Sequence, residues 1–120
     1  MKAMTQGFLQ LNASTRADRQ QMIAALREAI TTSGGWITDF KLFSNLSICL
    51  NFEIAASHMA DLQAALTRPD LSLSDESEQR LAAWRNAAAG AADRDVRGTL
   101  QVTFIHSEPD LRLEVPAVPG

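Results

Sequence analysis

The chain has a single cysteine, Cys49, in 120 residues. One thiol forms no internal disulfide, so nothing in the sequence calls for an oxidising compartment. Two histidines and no C-x-x-C or H-E-x-x-H spacing leave a structural zinc site without ligands. Long apolar runs are missing too, and no window approaches the roughly 20 residues of a membrane span. The opening stretch MKAMTQGFLQL carries one lysine and returns to polar residues before an apolar segment of signal-peptide length forms. These absences predict a cytoplasmic, soluble protein with no cofactor and no membrane partner. A surplus of cations is also lacking. The formal net charge is -3, and basic residues alternate with acids in RADR (16–19) and DRDVR (93–97). Nucleic-acid affinity rests on clustered cations, so no nucleic-acid partner is expected. No G-x-G-x-x-G or P-loop pattern occurs, which removes phosphate cradling.

What is present is an ordinary globular composition, 46% apolar and 21% charged. A chain of this length makes one domain and buries a core without disulfide or metal support. Residues 4–12 read as a first strand, with Leu9 and Leu11 on one face and Phe8 on the other. In the next segment Met22, Leu26 and Ile30, joined by Ile23 and Ala29, recur at helical spacing. They predict a helix over 16–33 that opens at Thr15 or Ser14, with Asp18 completing a capping box. Gly34 and Gly35 stop it, since glycine takes the left-handed conformation that ends helices.

WITDFKLF (36–43), the polar turn SNLS (44–47) and the alternating run 46–54 form a hairpin. In that last run Leu46, Ile48, Leu50, Phe52 and Ile54 face one way, and Ser47, Cys49, Asn51 and Glu53 the other. Ser57 is read as the cap of a second helix holding Met59, Leu62 and Leu66, ended by Arg68-Pro69. The stretch 68–79 reads as a polar loop in which Ser74 starts a third helix carrying Leu81, Trp84 and Ala88. Residues 98–106 alternate again as a final strand.

The order strand-helix-strand-strand-helix-(helix)-strand predicts an α+β fold. The expected form is a ferredoxin-like β-α-β-β-α-β sandwich: a four-stranded antiparallel sheet with helices on one face. Residues 1–108 make the domain, with a helical insertion over about 68–97, and 109–120 make an extended proline-containing tail. A sheet covered on one side leaves a second face for solvent, a ligand or another copy. Trp36, Cys49, Asn51, Glu53 and His106 are the candidate residues of that face. Cys49 sits mid-strand, away from any helix N-terminus, where nothing activates a thiol. His58, in the first turn of the second helix, reads as a surface residue. The His106-Ser107-Glu108 run holds the residue types of a hydrolase triad, but neighbours in a strand point apart. Arg80, Arg85, Arg94 and Arg97 are offset by nearby acids and read as solvated.

The stretch GGWITDFKLFSNLSICLNFEIA (34–55) resembles the central part of ACT domains, which are small regulatory modules. In that family a first helix ends at glycine, a strand of the form I-x-D follows, and an alternating strand comes after a short turn. A looser likeness extends over residues 4–66. It implies sensing of an amino acid or similar small molecule by a homodimer, with the ligand at the dimer boundary. The resulting expectation is a non-catalytic regulatory domain. Two alternatives stand beside it. One is a small enzyme using the open face, with Glu53 as general base and Asn51 as anchor. The other is an interaction module in which the helix at 75–89 and the tail meet a protein.

Overall fold

The computed structural model describes residues 7–44, 46–87 and 94–105. Along the chain run β1 (Gly7–Thr15), α1 (Arg19–Thr32), β2 (Trp36–Ser44) and β3 (Ser47–Ala55). A 3-10 turn (Ala56–His58), α2 (Met59–Leu66), β4 (Ser72–Leu73), α3 (Asp75–Ala87) and β5 (Asp95–Phe104) follow. The class is α+β, as the order of periodicities implies. His106, the tail and Ala88 lie outside the described residues.

The sheet differs from the expected four antiparallel strands. It has five, in the order β2-β3-β5-β1-β4. β5 is central, antiparallel to β3 and parallel to β1, so the sheet is mixed. The reason lies in the stretch read as a loop. Its two-residue strand β4 pairs with Ala13 and Ser14 on the outer side of β1. With that position taken, the last strand enters between β3 and β1. There its inner row of Val96, Leu100, Val102 and Phe104 is buried. A period-two pattern fixes which side chains face the core, but parallel and antiparallel neighbours satisfy it equally.

The helices cover one face. Met22, Leu26, Ala29 and Ile30 of α1 and Met59, Leu62 and Leu66 of α2 are buried with Leu81 of α3. They close over Leu9 and Leu11 of β1 and Ile48, Leu50, Phe52 and Ile54 of β3. Burying a Leu, Ile or Phe side chain stabilises a fold by about 1.5–3 kcal/mol, so this one-sided layer sets the orientation of every strand. Gly98 is the gap in the inner row of β5. It stands opposite Phe52, whose ring occupies the space that a Cβ at Gly98 would need.

Local signals account for the element ends, with three shifts. β1 runs through Thr15, so Asp18 caps α1 alone, its carboxylate accepting from the Gln21 N–H at 3.0 Å. Ser57 caps nothing: it lies in the 3-10 turn, and α2 begins at Met59. β5 starts at Asp95, three residues before the expected 98. The glycine stop behaves as read. Gly34 has φ +97°, and its N–H donates to Thr31 C=O (3.1 Å) while Gly35 N–H donates to Ile30 C=O (2.9 Å). Those paired bonds form the Schellman closure of a helix.

Candidate functional site: the open face of the sheet

Alternation that sends the apolar rows of β3 and β5 to the helices sends their polar rows to the other face. Cys49, Asn51 and Glu53 of β3 lie there, against Gln101, Thr99 and Arg97 of β5 in direct register. Trp36 of β2 pairs with Glu53, and Phe8 of β1 pairs with Arg97. Four of the five residues singled out from the sequence, Trp36, Cys49, Asn51 and Glu53, therefore share this face. The fifth, His106, lies outside the described residues.

The face has local relief. β2 slips register between Ile37 and Asp39, a bulge that adds Thr38 to the open side. Thr38, Phe8, Asn51, Glu53, Arg97 and Thr99 surround a depression of about 410 Å³ over the Phe52–Gly98 pair. Depressions of comparable size also occur elsewhere among the described residues. One lies between α2, β4 and α3, and one lies beside Thr15 and Asp70. The open-face depression is the one lined by Asn51 and Glu53, and it combines a carboxylate, a guanidinium and an exposed aromatic.

Charges on the face are paired. Arg97 Nε lies 3.9 Å from Glu53 Oε2, and Lys41 Nζ lies 3.8 Å from Asp39 Oδ2. Such exposed pairs contribute at most about 1 kcal/mol to stability. The Cys49 thiol donates to Asn51 Oδ1 at 3.7 Å. Burial pushes its pKa up, opposed by Lys41 and reinforced by Asp39. At neutral pH the sulfur stays a thiol, the unreactive form. His58 is not part of this face: it packs beside Gly34 and approaches Asp61 at 3.7 Å.

Sequence reasoning left Arg97 among solvated cations and missed Thr38. A signal for Arg97 existed, because Val96 continues the alternation of Leu100 and Val102 with Gly98 as its one interruption. No signal marked the bulge. Among the described residues, no three His, Cys, Asp or Glu side chains come together as metal ligands, and no helix is long and apolar enough to cross a membrane. No protein-family model matches the chain, and neither a curated protein nor a solved structure does.

Proposed function

We propose that the chain is a non-catalytic binding domain, acting as a homodimer, whose open sheet face takes a small amino-acid-like molecule. The observation that carries this reading is the Glu53–Arg97 pair beside Phe8 in the open-face depression. A zwitterion offers the matching chemistry. Its carboxylate meets the Arg97 guanidinium, its ammonium meets Glu53, and an apolar side chain lies along Phe8. The same groups favour binding over catalysis. Glu53 is engaged by a cation instead of standing as a free base, and Cys49 is held as a thiol. The role agrees with the one that the likeness to ACT domains implies for residues 34–55.

A thermal-shift screen with the amino acids, run beside sedimentation, tests it. A binder at one hundred times its Kd stabilises the fold by about 2.7 kcal/mol. The expected result is a dimer whose melting temperature rises with one ligand class, and loss of that rise in Arg97→Ala and Glu53→Gln. A monomer with no shift across the panel removes the proposal.

A further inference from the structure

We infer that two copies of this chain associate through β2, edge to edge and antiparallel, about a two-fold axis at Phe40. The inference deepens the dimer reading above and rests on it, by naming the surface and its register. It starts from the backbone. Leu46 C=O accepts from Phe104 N–H (2.8 Å), and Ala56 N–H donates to Arg94 C=O (2.7 Å). Alternation between these two points turns the backbone groups of Ile48, Leu50, Phe52 and Ile54 toward β5, and those of Cys49 and Asn51 toward β2. Lys41 and Asp39, opposite Cys49 and Asn51, therefore bond inward. Phe40 between them aims its N–H and C=O out of the sheet. In agreement, Phe40 N–H is met by the Asp39 carboxylate at 2.9 Å.

That outward residue is flanked by opposite charges, and antiparallel pairing of β2 with itself exploits the fact. With Phe40 opposite Phe40, Asp39 of each copy stands opposite Lys41 of the other. Both pairs fall at the non-hydrogen-bonded positions, where facing side chains are closest. A two-fold at Leu42, the other outward residue of this run, sets Lys41 against Phe43 and gains no charge pair. Charge thus selects the register. The regular run available for pairing is Asp39–Leu42, bounded by the two slips of β2.

Self-pairing stops at two copies because the opposite edge is covered from the Gln10 C=O through Ser14. Ala13 and Ser14 are paired to β4, Asn12 N–H and C=O are held by Ser77 and Ser74, and Gln10 C=O is held by Arg80. One open edge gives an isologous, closed dimer instead of a filament. Two open faces then become one continuous surface.

Charge reversal tests this with the full chain, by sedimentation over a concentration series. Asp39→Lys and Lys41→Asp each set like charges opposite one another. Each is expected to weaken self-association by about tenfold or more, since two pairs turn from attractive to repulsive. The double exchange Asp39→Lys/Lys41→Asp restores association. An equimolar mixture of the two single variants forms a heterodimer. A second measurement needs no variant: hydrogen exchange at the Phe40 amide slows as wild-type concentration rises. A wild-type dimer that survives both reversals unchanged, with concentration-independent Phe40 exchange, overturns the edge assignment and leaves the dimer reading intact. A wild type that is monomeric throughout overturns both.

Discussion

The two edges of the sheet are built in opposite ways. At the β1 edge the outward backbone groups from the Gln10 C=O through Ser14 have partners from the segment 70–80. Besides the bonds to β4, Ser77 Oγ accepts from Asn12 N–H at 2.7 Å. Ser74 N–H donates to Asn12 C=O at 3.0 Å, and Arg80 reaches Gln10 C=O at 2.9 Å. Thr15 Oγ1 donates to Asp70 C=O and anchors the loop that brings β4 in. At the β2 edge protection is local and slight: two register slips and the Asp39 carboxylate on Phe40 N–H. Phe43, Leu42 and Trp36 are about half exposed there. An unpaired strand edge is a template for another strand unless something covers it. The contrast makes the segment between α2 and β5 an edge cover and leaves β2 the less protected edge.

Breaking the covered edge should have the larger effects. Leu81 of α3 is fully buried and fastens that helix to the core. Leu81→Ala is expected to cost about 2–5 kcal/mol of stability by urea unfolding, with faster amide exchange at Asn12 as α3 loosens. A cost under 0.5 kcal/mol would mean that α3 is not fastened there. Next comes Ser77→Ala. Ser77 is fully buried, and the substitution leaves Asn12 N–H unpaired while Asn12 C=O keeps its bond from Ser74. That asymmetry predicts a loss of about 1 kcal/mol, because a partly buried orphan donor keeps part of its desolvation penalty. An unchanged unfolding midpoint would show the Ser77 bond to be dispensable. The smallest effect belongs to the open edge. Phe43 is 58% exposed, so Phe43→Ser should shift stability by no more than about 0.5 kcal/mol. A loss above 1 kcal/mol would place Phe43 in a packed environment and erase the contrast between the edges.

Much of this architecture is legible in the sequence. The helical stripe of Met22, Leu26, Ala29 and Ile30 is buried as its spacing demands. β3 alternates buried and half-buried along its whole length, as its sequence does. The Gly34 helix stop follows from the residue itself, because only glycine takes a positive φ without steric cost. The polar row Cys49, Asn51 and Glu53 was equally plain. What the sequence hid was pairing. Ser72-Leu73 is too short to carry a periodic signal, yet it occupies the flank of β1 and so redirects β5 to the centre. Arg97 joined the site only because β5 starts at Asp95, and Gly98 masked that start. Its missing side chain breaks the alternation on the page, but in three dimensions the Phe52 ring fills the space.

By itself, then, the sequence determined most of the inward rows, where α1 ends, and that β3 turns a polar row to one face of the sheet. Those properties depend on neighbours within a few positions, through side-chain periodicity and backbone sterics. Tertiary structure decided the strand order, the parallel pair β1–β5, the meeting of Glu53 with Arg97 and the inequality of the two edges. Each of these brings together residues that are distant along the chain. Strand hydrogen bonding specifies no partner by residue type, so the choice falls to packing and to which edge is already taken.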